Sequence, residues 1–469
     1  MSEAPRNCLT VFGVDKDARF GPSGITLESL SGKRPVAIID EGNPPLSGEL
    51  SFSRAPVAEN HVPADLAGGP RYVARQPILD LRGQVHGYEL LYRNGPETAF
   101  RGDGNLASRT MLDNTVIFGV EKFTGGSLAF INCTAETLSG DLVGILQPNL
   151  TVLEILETVE PSPELIAACT KLKAQGFKIA LDDFVWEQRF EPLVKLADYI
   201  KVDFMLTNSA GRKDLLRKLK GERVMLLAEK VESQSDYHEA RSEGFTLFQG
   251  YYFCRPELIK NRKVPSNRVS HLEILRLLQV EPIDLHQLSR AVQRDESLTY
   301  RLLRMVNSAR YANHKEVDSV QSAIMILGED TFRRIATLAI ATELNTGHPS
   351  ELLRMAMVRA RFCELASALC SLCGPEQYLL GMFSLLPGML GVPMEALTPA
   401  LPLRREIREA LEGTITPEGR LLEWLKAHEC GDWAACEAIV EASGFQAGQL
   451  NACYAEAVLW AESQFCLVE

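Results

Sequence analysis

No long uninterrupted hydrophobic run occurs in the 469 residues, and the most apolar C-terminal region, residues 381–403, is broken by Pro387, Pro393 and Pro399. It makes a poor membrane span. The first twenty residues carry Arg6, Asp15, Lys16 and Asp17 with no apolar core between them, which is not the pattern of a secretory signal. Together these absences predict a cytoplasmic protein with no membrane partner. Excess positive charge is also lacking: 49 Lys and Arg face 61 Asp and Glu, a formal charge of −12. That balance argues against a broad footprint on nucleic acid and favours proteins and small molecules as partners. Paired cysteine motifs are missing as well. The eleven cysteines are odd in number and scattered, and Cys370 and Cys373 have no second C-x-x-C partner, so buried thiols are expected rather than disulfides or zinc.

What is present is ample apolar content, 46% of residues, over a length that a single core seldom serves. Residues 1–70 are rich in Gly, Pro and Ser without a sustained period and are expected to be a variable leader. Over residues 71–260 short apolar runs alternate with amphipathic stretches, the pattern of β/α units around a parallel sheet. Strands are expected at Tyr72–Leu79, Val85–Tyr92, Leu128–Asn132, Leu150–Ile155, Phe177–Leu181, Tyr199–Val202, Val224–Ala228 and Thr246–Tyr251. Helices are expected at Arg109–Phe123, Pro163–Gln175, Lys213–Leu219 and Gln234–Ser242. Eight strands point to a barrel, and because only residues 80–84 separate the first two, that pair should be antiparallel. After a hinge at Pro265, Ser266 and Asn267 the period becomes helical, as in Leu298, Leu302, Leu303 and Val306, and residues 268–469 read as an all-α domain.

In a β/α barrel the chemistry collects at the C-terminal strand ends, and polar residues recur there. Glu89 lies in the second strand, Asn132 closes the third, Glu154 and Glu157 the fourth, and Asp182 and Asp183 the fifth. Lys201 and Asp203 close the sixth, Glu229 and Glu232 follow the seventh, and Gln249 ends the eighth. Singly, each would be a helix cap or a solvated charge. Recurring on successive strands, carboxylates with an amide oxygen form the hard-oxygen setting of Mg2+ or Mn2+, and a nearby lysine can position or deprotonate water. Metal-assisted phosphodiester hydrolysis needs that set.

The segment 71–260 resembles EAL domains, which hydrolyse or bind cyclic di-GMP. The resemblance is carried by Gln76-Pro77-Ile78, Gly87-Tyr88-Glu89-Leu90-Leu91-Tyr92-Arg93, Ile131-Asn132, Leu153-Glu154-Ile155, Leu181-Asp182-Asp183-Phe184, Ile200-Lys201-Val202-Asp203, Ala228-Glu229 and Phe248-Gln249-Gly250-Tyr251. It implies Glu89, Asn132, Glu154 and Asp182 as metal ligands, Asp183 at a second metal, Lys201 acting on water, and Glu229 supporting the metal site. It further implies Gln249 orienting ligand or water, with Gln76, Leu91 and Arg93 touching the dinucleotide. An arginine fork suits phosphate oxygens.

The chain departs from the family where a glycine-containing loop that couples dimerisation to the metal would follow Phe184; here it reads Val185-Trp186-Glu187-Gln188-Arg189-Phe190. Val and Trp resist backbone angles open to glycine. Lys230 replaces a glycine after Glu229, adding a cation that competes with metal, and Leu90 replaces alanine, which would crowd the strand beside Glu89. Damage around metal ligands weakens affinity tenfold or more, so impaired catalysis is expected, with cyclic di-GMP binding and homodimerisation left open.

Residues 275–344 resemble the HDOD family, a branch of the HD superfamily that serves protein interaction, through Leu298-Thr299-Tyr300-Arg301-Leu302-Leu303-Arg304-Met305-Val306-Asn307-Ser308 and Val320-Gln321-Ser322-Ala323-Ile324-Met325-Ile326-Leu327-Gly328. No His-Asp dipeptide exists in the chain, and where that metal pair would follow a Gly-Leu-Leu stretch stand Ser384 and Leu385. Hydrolysis by this half is not expected. His271, His286, His314 and His348 read as surface or cap residues, and Arg301, Arg304, Arg310, Arg333 and Arg334 as a solvated helix face rather than a basic patch. The expectation is a signalling adaptor with a degenerate EAL half, sensing cyclic di-GMP or merely supporting, and an HDOD half recruiting regulatory proteins. The alternative is an active phosphodiesterase yielding linear pGpG.

Overall fold

The computed structural model describes residues 71–94, 120–250, 266–278, 282–307, 317, 319–345, 350–372, 377–401 and 403–465. The expected leader, most of the Arg109–Phe123 helix, and His314, His348, Arg310 and Cys373 lie outside them. Eight strands close into a barrel in sequence order: β1 (Arg71–Asp80), β2 (Val85–Asn94), β3 (Leu128–Cys133), β4 (Thr151–Ile155), β5 (Lys178–Leu181), β6 (Tyr199–Asp203), β7 (Met225–Glu229) and β8 (Leu247–Phe248). β1 runs antiparallel to both neighbours and the remaining pairs are parallel. The short β1–β2 connection enforces this: Asp80 Oδ1 accepts the backbone N–H groups of Arg82 and Gln84 at 2.8 and 2.9 Å, leaving no room for a crossover helix.

Inside the barrel the two-residue strand period builds layers. Ile78, Phe130, Val152, Ala180, Tyr199, Leu227 and Leu247 form a separate buried apolar cluster. Two positions towards the mouth from each of these stand Gln76, Asn132, Glu154, Asp182, Lys201, Glu229 and Gln249, and Glu89 completes the ring opposite Gln76 in register. An apolar floor thus supports a polar layer to which every strand or its end contributes. Outward positions of the same strands pack on helices. Leu90, one residue from Glu89, is buried among them, so it faces away from the polar layer and does not crowd it.

Beyond the barrel the chain is helical, beginning with Ser266–Leu277. The helix therefore starts within the expected hinge, taking up Ser266 and Asn267. Ser350–Leu369 packs against Gln377–Phe383 and Ala447–Phe465, and Pro417–Glu429 against Trp433–Ser443. These helices and the outer face of the barrel share one hydrophobic core. Polar contacts stitch the junction: Tyr88 Oη donates to Glu351 Oε2 at 2.7 Å, and Arg75 pairs with Glu462 at 2.8 Å with its guanidinium 4.4 Å from the Tyr88 ring centroid. Burial pushes the Glu351 carboxyl upward, against the pull of Arg75, Arg354 and the Tyr88 hydrogen bond. Among the described residues no helix is long and apolar enough to cross a membrane.

The close approach of two helices rests on Gly381, where a Cβ would lie 2.1 Å from the Arg359 carbonyl oxygen. Gly381→Ala should lower stability by about 1–3 kcal/mol, the usual cost of overpacking, whereas Gly448→Ala, with nothing within 4 Å, should not. Urea unfolding monitored by circular dichroism checks this; equal midpoints for the two variants would contradict the packing.

Candidate active site

Four carboxylates converge on one buried ammonium. Lys201 Nζ lies 3.1 Å from Glu89, 2.9 Å from Glu154, 2.7 Å from Asp182 and 3.0 Å from Glu229. Gln249 Nε2 donates to Glu89 Oε2 and to Gln76 Oε1, both at 2.8 Å, and Asn132 Nδ2 donates to Glu89 Oε1 at 3.2 Å. The strands place these groups by register alone: Gln76 pairs with Glu89, Asn132 with Glu154, and Lys201 with Leu227, two residues before Glu229.

One ammonium does not neutralise four converging carboxylates, and the titration directions show where the imbalance falls. Burial alone would raise Glu89, but the Lys201 charge and hydrogen bonds from Gln249, Lys201 and Asn132 hold it below its ordinary value. Burial pushes Glu154 well above the carboxylate range and Glu229 up to about 8, in both cases against the pull of Lys201. Lys201 itself resists the effect of burial, because Glu154, Glu229, Glu89 and Asp182 hold its proton firmly.

The residues fit a divalent cation. Among the described residues, Asn132 Oδ1, both Glu154 oxygens and Glu229 Oε2 are buried without a hydrogen-bond donor, although Lys201 is close enough to Glu154 for an ion pair. Such oxygens are the hard donors that Mg2+ and Mn2+ prefer. Carboxylate oxygens of Asp182, Asp183 and Glu229 also lie within 4.8 Å of one another, and burial together with the Asp182 charge raises Asp183. Asp183 takes a left-handed φ of 39°, as does Lys230 at 53°.

Lys230 directs its ammonium to Asp203 rather than into the four-carboxylate group. Burial would raise Asp203, but Lys230 and the backbone N–H groups of Leu206 and Met205 hold it low. The altered loop is ordered by Phe184 stacking edge-on against Trp186 and Phe190, and by Arg189 pairing with Glu160 and Glu187. Glu157 and Glu232 are exposed and stand apart from the layer. Leu91 is half-buried; Arg93 lies in β2 opposite Tyr72, and its side chain is outside the described residues.

Residues 134–256 match the EAL domain family, and residues 264–383 match the HDOD domain family. YuxH of Bacillus subtilis, an uncharacterized protein, is 34% identical over 402 residues, covering 83% of this chain and 97% of YuxH. The cyclic di-GMP phosphodiesterase CdgJ of Vibrio cholerae is 33% identical over 398 residues, covering 83% of this chain and 92% of CdgJ. The chain belongs to the EAL–HDOD family. Among solved structures, a calcium and cyclic di-GMP complex of Klebsiella pneumoniae BlrP1 is 24% identical at a TM-score of 0.35, over 42% of this chain and 58% of BlrP1. An EAL domain protein of Listeria monocytogenes is 23% identical at a TM-score of 0.33, over 39% of this chain and 87% of that chain.

In the HDOD half of this EAL–HDOD protein, Ser384 receives a hydrogen bond from Arg359 Nη1 at 3.1 Å, and Arg359 forks onto Glu429 at 2.6–3.1 Å. A buried ion pair thus stands beside the position where an HD pair would be. Two surface assignments are corrected. His271 is buried and 2.9 Å from Asp295, the cap of Glu296–Val306, and Arg333 is buried, because both sit on inward faces of their helices. Arg301 pairs with Glu343 at 2.9 Å and Arg334 with Glu364, so these charges are spent locally. His286 lies in the first turn of Leu285–Gln293, where Asp284 caps its N–H.

A cation that binds only the folded site stabilises it by mass action, about 2.7 kcal/mol at a hundredfold excess over Kd. Saturating Mn2+ should therefore raise the thermal midpoint of the EAL–HDOD chain by several degrees, at roughly 2–4 °C per kcal/mol. Glu154→Gln, nearly isosteric, should remove most of that shift; an equal shift in the variant would refute the ligand set.

Proposed function

We propose that the barrel half is a metal-dependent phosphodiesterase that opens cyclic di-GMP to linear pGpG, and that the helical half is its regulatory, protein-binding partner domain. The observation that carries this reading is the polar layer itself, with Glu89, Asn132, Glu154 and Asp182 set around Lys201. CdgJ, which shares a third of its residues with this chain across nearly its whole length, is named for that activity.

Glu89, Asn132, Glu154 and Asp182 would hold one Mg2+ or Mn2+, and Asp183, with Asp182 and Glu229, a second. A bound ion supplies Lewis-acid charge to a phosphoryl oxygen and makes water a stronger nucleophile. In the net reaction a water oxygen bonds to phosphorus, the bond from phosphorus to the ribose 3′ oxygen breaks, and that oxygen gains a proton. Lys201, within 3.1 Å of four carboxylates, is placed to orient water and offset phosphoryl charge through hydrogen bonds. Gln249 fixes Glu89 and, through Gln76, joins β1 to the layer.

A second reading, an adaptor whose barrel senses the dinucleotide or supports the helical half without turnover, is favoured by Lys230 lying beside Asp203 and Asp183 and by the replaced Val185–Phe190 loop. Incubation of the full chain with cyclic di-GMP and Mn2+ or Mg2+, followed by chromatography, separates the two. Product is expected from the wild type and none from Glu89→Ala. Absence of product with retained nucleotide binding in equilibrium dialysis would leave the adaptor.

A further inference from the structure

The layer just described is almost closed to solvent: Glu154 and Lys201 are 0% exposed, Gln249 4%, Glu89 6% and Glu229 8%. Gln76, Asn132 and Asp182 of the same layer are half-buried, so what exposure the layer has lies at its rim. On the β5–β7 side of the mouth, Asp183 is half-buried and the Lys230 side chain is 54% exposed. On the β1–β2 side main chain from the helical half touches the rim. The Glu429 carbonyl oxygen accepts a hydrogen bond from Gln76 Nε2 at 3.2 Å. Gly431, at φ 69°, comes so near that a Cβ there would lie 2.7 Å from Leu91 Cδ1. Both contacts fall on inward positions of β1 and β2, one residue pair and two residues from Glu89.

We propose that the turn Glu429–Gly431, between the helices Pro417–Glu429 and Trp433–Ser443, is a built-in cover of the carboxylate layer that withdraws to admit a cyclic dinucleotide. The proposal rests on the phosphodiesterase reading for the identity of the ligand. The barrel meets the turn through the neutral Gln76 hydrogen bond and the apolar side chain of Leu91. The turn's hold from behind is strong, since the Glu429 carboxylate is forked by Arg359 on the helix Ser350–Leu369, which also reaches Ser384. The turn is consequently anchored to the helical half, and a protein bound there can set how often the turn lifts from the rim. Gln76 also couples the cover to chemistry, because the chain Glu429 to Gln76 to Gln249 ends on Glu89. Ligand affinity is reduced in proportion to the open fraction.

The test uses the full chain. Hydrogen exchange of peptides spanning residues 426–434 is measured with and without cyclic di-GMP and Mn2+, alongside the Kd and KM of the wild type, Gly431→Ala and Gly431→Glu. Exchange in the wild type should rise on nucleotide addition. The Glu variant, displaced from Leu91, should show that exchange without nucleotide and a Kd about tenfold lower, with Ala intermediate. Should the Glu variant misfold by circular dichroism, the wild-type exchange and the Ala variant decide. Nucleotide binding with unchanged exchange and equal constants would overturn the cover and leave the hydrolase reading intact. No binding by any of the proteins would overturn both.

Discussion

The ammonium of Lys201 sits at the centre of the barrel, and the surrounding architecture follows from its burial. A fully buried cation is tolerated only when opposite charge and hydrogen-bond acceptors surround it, and here Glu89, Glu154, Asp182 and Glu229 do so from four different strands or strand ends. Their number overshoots. Three formal negative charges remain once one ammonium is set against four carboxylates, and burial pushes the Glu154 and Glu229 carboxyls upward against the pull of Lys201. A divalent cation held among these oxygens would relieve that pressure.

The second constraint is the junction between the halves. Arg75, Tyr88, Glu351, Arg354 and Glu462 form a buried network on the outer side of β1 and β2, and the apolar core continues through it. Removing one member of such a network strands a charge, which costs about 3–5 kcal/mol. The helical half is therefore part of the barrel's support rather than a passenger. It meets both faces of the β1–β2 hairpin, the outer through this network and the inner through the Glu429–Gly431 turn.

Most of the barrel was legible in the sequence because strand period and strand-end polarity are local signals. The expected strands agree with those observed to within two residues at their ends, save the last, whose expected end at Tyr251 lies outside the described residues, and the antiparallel first pair follows from a four-residue connection. Glu89, Asn132, Glu154, Asp182, Lys201, Glu229 and Gln249 do gather in one layer. Less legible was which side a residue faces once both sides are buried. Leu90 looked like crowding for Glu89, yet the same alternation that turns Glu89 inward turns Leu90 outward. His271 and Arg333 looked superficial because a helix that packs on several neighbours loses a simple polar face. The contact between Gln76 and Glu429 spans 353 residues, and nothing local in Glu429-Cys430-Gly431 distinguishes it from any other turn between helices.

The central claim is that the Lys201 layer is built to take a divalent cation. Crystals of the full chain grown with Mn2+ and measured at the manganese absorption edge test it most directly. The account predicts an anomalous peak within coordination distance of Glu89, Asn132, Glu154 and Asp182, with Lys201 Nζ drawn back from at least one carboxylate. Saturating manganese with no peak in the layer, and Lys201 still bridging all four carboxylates, would contradict it.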